Sequence, residues 1–458
     1  MEFSGKRVIV VGLAKSGVSA IKVLHELGAV VTVTDIKTEG QLMEIIEEIR
    51  PFVTEMVLGK HPENLGAYEL AVMSPGVPLD LPFVEAMRQA NIEIIGEIEL
   101  AYILCKGTFV GITGTNGKTT TTALTGEIFE HGDTPYFVVG NIGLPAVSKA
   151  LECDENTVMV TEISSFQLET VHAFRAKVAT VLNLTPDHLN RHKTMENYID
   201  AKARIFENQS KEDHLVLNYD DELTRNLKSR AKGKVHMFSR KSTLGQSAFI
   251  KEGRIVLNCF GIEEPLCLVS EMHIFGRHNE ENALAAALIA RLAGVSTHAI
   301  IQGLKSFKGV AHRIEFICDI EGRKFYNDSK GTNPDSTVCA IEAMVSPTHL
   351  IAGGYNKDSD FTPIFKVFDN KVKTLILMGA TKDKIAEVAK AFNFDDVVFA
   401  TNMEEAVQLA FESSHAGDAV LLSPACASWD MYDNFEQRGD HFRTCVNRLA
   451  EVRSVEDR

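Results

Sequence analysis

The 458-residue chain has no pair of cysteines spaced as CxxC. Its eight cysteines, at positions 105, 153, 259, 267, 318, 339, 426 and 445, are scattered, which argues against a disulfide framework or a zinc ribbon and for reduced thiols. No basic run is long enough to make a basic groove, and the formal net charge of -15 would repel a polyphosphate backbone, so a nucleic-acid partner is not expected. No apolar run approaches the length of a membrane span; the longest with a helical pattern covers residues 283–290. The first residues go straight into a strand-like run broken by Gly12 and Lys15, without the apolar stretch of a signal peptide, so the expected location is the cytoplasm. Low-complexity segments and short repeats are also missing. What is present, 45% hydrophobic and 24% charged residues, suits a soluble chain able to bury sizeable cores, and its length points to about three domains.

Strand and helix patterns alternate along the chain, as expected of parallel sheets with helical crossovers. A first cycle has strands near 7–12, 30–34, 70–74 and 92–95, with a helix over 18–27. A second has strands at 108–112, 158–163 and 178–182 and ends with a helix over 280–292. The third has strands at 350–352, 374–378, 397–400 and 419–422. The expectation is an α/β protein of three domains in series, covering 1–97, 98–309 and 310–458: a Rossmann-like domain, a central P-loop domain and a second Rossmann-like domain.

The strand at 108–112 runs into TGTNGKTT, residues 113–120, and then into a helical pattern. That order cradles phosphate with backbone N–H groups: Gly114 and Gly117 let the backbone approach, Lys118 reaches the β and γ oxygens, and the Thr119 hydroxyl can ligate magnesium. The strict pattern would need glycine at 112, where isoleucine stands. A P-loop site needs an acid on a neighbouring strand for its metal, and Glu162 is so placed. Asp187 and His188, in NLTPDHLNRH, follow the next strand, at the edge where open α/β sheets bind ligands. A lone histidine there is more often structural, but the adjoining phosphate loop favours a functional one.

Other candidates are equivocal from the residues alone. Asn141 in GNIG and Asn279 in GRHNEEN could contact phosphate or simply cap and turn the chain. Arg313, Asp328 and Lys330, in AHRIE and NDSKGTNPDS, offer phosphoryl donors or form a solvated loop. GLAKSG, residues 12–17, with Asp35 at the end of the next strand, is a weak dinucleotide fingerprint because Ala14 replaces the middle glycine. On that fingerprint a dehydrogenase is the alternative, and a nucleotide-switched binding module is another.

Taken in order, TGTNGKTT, GNIG, EISSFQLE, PDHLNRH, AKARIFEN, GRHNEEN, AHRIE, NDSKGTN, GGYNKD and SPACASWDMYDNFEQRG resemble the Mur ligases over nearly the whole chain. The last segment, EISSFQLE and the N-terminal loop are most similar to the members that add D-glutamate. Folate polyglutamate ligases share a TGTNGK-type loop but begin close to it, whereas here about a hundred residues of α/β pattern precede it. The resemblance implies a UDP-binding first domain, an ATPase second and an amino-acid-binding third. It implies a reaction in which ATP phosphorylates the carboxylate of UDP-N-acetylmuramoyl-L-alanine and the amine of D-glutamate attacks the acyl phosphate. Carried over residue by residue, it assigns Lys118, His188, Lys202 and Lys330 to catalysis, with Lys202 carbamylated. Residues 114–120 (Gly114, Thr115, Asn116, Gly117, Lys118, Thr119 and Thr120) with Asn279, Arg313 and Asp328 would bind ATP. Thr119, Glu162, His188 and the Lys202 carbamate would hold Mg2+. Ser16, Asp35, Lys37, Gly76 and Asn141 would bind the UDP substrate, and Thr332, Lys357, Ser428 and Phe435 would bind D-glutamate. The expected state is a monomer.

Overall fold

A computed structural model describes residues 2–243, 245, 247–259, 261–355 and 359–456. Its first sheet contains β1 (Arg7–Val11), β2 (Val30–Asp35), β3 (Glu55–Leu58), β4 (Leu70–Met73) and β5 (Glu93–Gly96), ordered β3-β2-β1-β4-β5 and parallel throughout. β1 reads RVIVV with its last four residues buried, the unbroken apolar run of a parallel strand covered on both faces. The helix Lys15–Glu26 buries Gly17, Ala20, Ile21 and Leu24, a stripe at helical spacing. Gly17 is required there, because a Cβ would lie 2.1 Å from the Gly12 carbonyl oxygen.

The second sheet is larger: β6 (Thr108–Thr113), β7 (Tyr136–Gly140), β8 (Val158–Glu162), β9 (Val178–Val181), β10 (His214–Asn218), β11 (Lys234–Ser239), β12 (Ser247–Lys251), β13 (Arg254–Leu257) and β14 (Glu264–Leu268). The order is β14-β13-β12-β11-β10-β9-β6-β8-β7, parallel from β7 to β12 and antiparallel across the last two pairings. The extension from β10 to β14 had not been read from the sequence. β12 to β14 are four or five residues long with polar ends, so little distinguishes them from loops until they pair.

These two sheets form one compact unit, residues 1–272 with 281–307. They share a continuous core in which Val8, Val10 and Leu24 belong to the same cluster as Phe109, Phe174 and Ile205. Within it Tyr102, Phe109 and Phe174 meet pairwise at centroid distances of 5.4–5.8 Å. Two buried acids on the helix Glu97–Leu104 join the layers. Glu99 accepts the backbone N–H groups of His172, Ala173 and Phe174 at 2.8, 2.7 and 3.0 Å, and Glu97 accepts that of Val147 at 2.7 Å.

Burial outweighs the hydrogen bonds to Glu97 and raises its carboxyl from the ordinary 4.5 to about 7. The folded state therefore holds this proton more tightly than the unfolded chain, and stability falls as pH rises from about 4.5 to about 7 and stays lower above that. Glu97→Gln keeps the acceptor without the charge. It is expected to stabilise the unit by on the order of 3 kcal/mol at pH 8 and by little at pH 5. Thermal unfolding midpoints at the two pH values check this; an equal effect at both would show that folding does not raise the Glu97 carboxyl.

The third sheet belongs to the second unit, residues 273–280 with 308–458. It contains β15 (Glu315–Ile320), β16 (Arg323–Asn327), β17 (Thr348–Ala352), β18 (Val372–Leu377), β19 (Val397–Phe399) and β20 (Ala419–Leu422), ordered β15-β16-β20-β17-β18-β19. Only the β15–β16 pairing is antiparallel. Asn333 caps the helix Pro334–Ala343 by accepting the N–H of Ser336, and Asn402 caps Met403–Ser413 by accepting that of Glu405. Among the described residues no helix is long and apolar enough to cross a membrane.

Candidate active site

At the C-terminal edge of the first sheet, β1 lies between β2 and β4, so the connections leave it in opposite directions and open a crevice. Ser16, Asp35, Lys37 and Gly76 follow β1, β2 and β4 and so come to this one edge. Asp35 has a structural duty: its carboxylate accepts the N–H of Leu13 at 2.8 Å and that of Lys37 at 2.9 Å. It therefore ties the loop after β1 to the turn after β2. Lys37 is exposed, and nothing lies within 4 Å of where a Cβ on Gly76 would stand.

In the second sheet β6 runs into the loop 114–117 and the helix Lys118–Glu130. Gly114 and Gly117 have φ of +155° and +84°. A Cβ on Gly117 would stand 2.4 Å from Asn282 Oδ1, so glycine is needed for both backbone and space. The Lys118 ammonium donates to the Gly114 and Thr115 carbonyls at 2.9 and 2.8 Å. Asn183, which sequence reasoning left unassigned, clamps the loop: its Oδ1 accepts the Asn116 N–H at 2.7 Å, and its Nδ2 donates to the Asn116 carbonyl at 3.0 Å. Thr115 Oγ1 also donates to the Thr185 carbonyl and lies 3.2 Å from the Tyr198 hydroxyl. Thr119 and Thr120 are buried in the helix's first turn, and among the described residues the Thr120 hydroxyl has no hydrogen-bond partner.

Lys202 reaches the same loop from the helix Met195–Ala203. It is 2% exposed, donates to the Gly114 carbonyl at 2.7 Å, and lies 4.7 Å from the Tyr198 ring centroid. Lys118 and Lys202 thus converge on one carbonyl oxygen. Burial and then the charge of Lys118 hold the Lys202 amine well below its usual range, against the opposing pull of Asp187 and Glu162. Those four groups form one electrostatic neighbourhood.

Glu162 ends β8, is buried, and accepts the Asn141 side-chain amide at 3.0 Å. Asn141 also donates its N–H to the Glu162 carbonyl at 2.8 Å, and a Cβ on Gly140 would stand 2.1 Å from that oxygen. The GNIG glycine therefore lets β7 close on β8 beside the acid. His188 has φ +53°, which turns the chain at the start of the helix Leu189–His192. Its Nε2 is 3.6 Å from Asp187, and its ring meets Phe166 at 4.8 Å. A hydroxyl at Thr119 and a carboxylate at Glu162 are hard oxygen donors that suit magnesium, with the His188 imidazole as the nitrogen outlier.

In the second unit Asp328 follows β16 fully buried and accepts the Ser423 hydroxyl at 2.7 Å. Burial raises its carboxyl to about 6, against the pull of Arg313. The buried Nε of Arg313 has no hydrogen-bond partner among the described residues. Asn279 donates its side-chain amide to the Phe275 carbonyl at 2.9 Å, a local bond that accounts for part of its capacity. Lys330 Nζ lies 5.3 Å from the Phe435 ring centroid. Thr332 and the buried Ser428 follow β16 and β20, which are neighbours, so they come to the same sheet edge. Phe435 opens the helix Phe435–Glu456, and its carbonyl accepts the Ser329 hydroxyl. Lys357 lies outside the described residues. Arg438, unassigned from sequence, is buried beneath this edge and donates to Ser329 and to the Cys426 and Ala427 carbonyls. It underpins the turn carrying Ser428, and the only trace of it in the sequence is an arginine inside the final motif.

Three domain families match in series: the Mur ligase MurD-like N-terminal domain over residues 6–96, the Mur ligase middle domain over 112–290, and the Mur ligase glutamate ligase domain over 312–426. The chain is 51% identical to a UDP-N-acetylmuramoylalanine–D-glutamate ligase of Alkaliphilus metalliredigens, over 98% of this chain and 99% of the relative. It is 50% identical to the enzyme of that name from Thermoanaerobacter sp. (strain X514), over 98% of this chain and all of the relative. The fold is also that of UDP-N-acetylmuramate-alanine ligase MurC from Thermotoga maritima, with a TM-score of 0.60, 17% identity, and coverage of 98% of this chain and 99% of that one. With three Mur domains in order and half of its residues shared with full-length relatives, the chain belongs to the Mur ligase family.

Proposed function

We propose that this chain joins D-glutamate to the L-alanine carboxylate of UDP-N-acetylmuramoyl-L-alanine at the expense of ATP, in peptidoglycan precursor synthesis. The substrates come from the names of relatives that share half its residues over their full length. The observation that carries the chemistry is the P-loop whose Gly114 carbonyl is met by both Lys118 and Lys202.

A carboxylate does not react with an amine, because its leaving group would be oxide. The γ-phosphoryl group therefore passes from ATP to a carboxylate oxygen, releasing ADP. The neutral amine of D-glutamate then attacks the acyl carbon, phosphate leaves with the C–O electron pair, and the amine gives up a proton. Both steps gather negative charge where Lys118 projects. Magnesium, when bound, supplies further neutralisation of the phosphoryl oxygens, and we assign it to Thr119, Glu162, His188 and Lys202 as its carbamate. Residues 114–120, Asn279, Arg313 and Asp328 are assigned to ATP. Ser16, Asp35, Lys37, Gly76 and Asn141 are assigned to the UDP substrate. Lys330 faces the reacting groups, and Thr332, Lys357, Ser428 and Phe435 take D-glutamate. The division at 97 and 309, a monomeric state and a cytoplasmic location belong to the same proposal.

Phosphate release, measured with ATP, magnesium, UDP-N-acetylmuramoyl-L-alanine and each of several amino acids, tests the reading. Release is expected only when D-glutamate and the UDP substrate are both present. Release without an amino acid, or with a different one preferred, would overturn it.

A further inference from the structure

The segment carrying His188 also carries an arginine to which the assignments above give no role. Arg191 donates from Nε to both oxygens of Glu169 at 3.3 and 3.2 Å, and from Nη2 to Oε2 at 2.5 Å. The same guanidinium donates to the Pro75 carbonyl at 3.0 Å and to the Val77 carbonyl at 3.2 Å. These carbonyls flank Gly76, in the loop after β4. Arg191 further lies 4.4 Å from the Phe166 ring centroid, and that ring packs on His188. Glu169 is held from its other side by His192, with Nδ1 at 3.5 Å, while His192 Nε2 lies 2.9 Å from the Ser165 hydroxyl.

We propose that Arg191 is a positioning residue that fixes the 75–77 loop against the second sheet's ligand edge and so sets the span between the UDP site and the P-loop. This rests on the proposed function. The substrate is held at its nucleotide end and reacts at its other end, so the reacting carboxylate is only as well placed as the loop at the far end. Packing cannot supply that constraint at Gly76, where the space beside the backbone is open. One planar guanidinium serves a carboxylate and two carbonyls at once, and a lysine ammonium lacks that fork. The side chains of Arg191 and Glu169 are 16% and 19% exposed, so the pair is largely withdrawn from solvent and its geometry is fixed.

The test uses the full chain with Arg191→Ala, Arg191→Lys and Glu169→Gln, and reads each substrate's KM, kcat, ADP affinity and UDP affinity by calorimetry. Arg191→Ala is expected to raise the KM of the UDP substrate and weaken UDP binding by roughly ten- to a hundredfold, with kcat lowered and ADP affinity within about twofold of wild type. Millimolar guanidinium should restore part of the loss, Arg191→Lys should recover little, and Glu169→Gln should show a weaker form of the same pattern. An equal loss for all substrates with a lower unfolding midpoint and no guanidinium rescue would reduce Arg191 to packing. Wild-type constants in Arg191→Ala or, if that variant does not fold, in Arg191→Lys and Glu169→Gln together would remove the role altogether. If the wild-type chain fails to turn over, the proposed function fails, and UDP affinity across the variants still decides the role of Arg191.

Discussion

Lys118→Ala is expected to lower turnover by roughly a thousandfold or more while leaving the unfolding midpoint close to that of the parent. The ammonium is held by the Gly114 and Thr115 carbonyls, both neutral acceptors belonging to the loop itself. A phosphoryl group in flight is a far stronger acceptor, so most of what this charge contributes appears in the transition state and not in the resting fold. The loop does not depend on Lys118 for its shape. Asn183 holds both the N–H and the carbonyl of Asn116, and Thr115 is bonded to Thr185. ADP affinity is therefore expected to fall much less than kcat, since the diphosphate keeps the β oxygens that Lys118 reaches but lacks the γ-phosphoryl group whose transfer the charge stabilises. Single-turnover phosphate release and ADP calorimetry on the same preparation separate the two. Near-normal turnover, or an ADP loss as large as the kcat loss, would show that Lys118 is a ground-state ligand only.

The contrast between Lys118 and Arg191 shows what sequence can and cannot display. Lys118 is legible because everything that defines it is local: a β-branched strand, two glycines with positive φ and a helix start, all within a dozen residues. The strands 108–113, 158–162, 178–181 and 419–422 are legible for the same reason, since a buried parallel strand is a continuous apolar run. Arg191 is defined by carbonyls more than a hundred residues upstream, and a carbonyl leaves no mark on residue type. Arg438 is the same case, satisfied largely by backbone oxygens of the segment it supports. Asn183 sits inside a motif that was read for its Asp187 and His188, and its clamp on Asn116 appears only when β9 is laid beside β6. Asp35 shows the converse: its place at a strand end was legible, but its bonds to Leu13 and Lys37 give it a loop-holding duty that the fingerprint does not mention.

Lys202→Ala is expected to be inactive, at least a thousandfold below the parent, and to regain measurable turnover when formate or acetate is added at millimolar concentration. A buried lysine beside a second lysine is a poor component of a site that must gather a metal and phosphates, unless its charge is removed or reversed. Burial and Lys118 favour the first, pushing the amine well below its usual range and so toward the neutral form that carries a lone pair. That lone pair can do the second: the nitrogen adds to carbon dioxide, a proton leaves the nitrogen, and the side chain ends in a carbamate anion. The amine's direct bond to the Gly114 carbonyl would place that anion beside the P-loop, where it would offset Lys118 and suit the magnesium ion assigned above to Glu162. A small carboxylate entering the space vacated in the alanine variant supplies the same charge without the tether, which is why rescue should be partial. Labelled bicarbonate gives a second readout, a carbamate carbon resonance in the parent that is missing in Lys202→Ala. Depleting carbon dioxide should lower the parent's activity, and bicarbonate should restore it. Full activity in the alanine variant without additive would sink the assignment, as would an inactive variant that no small carboxylate rescues together with a parent that takes up no label.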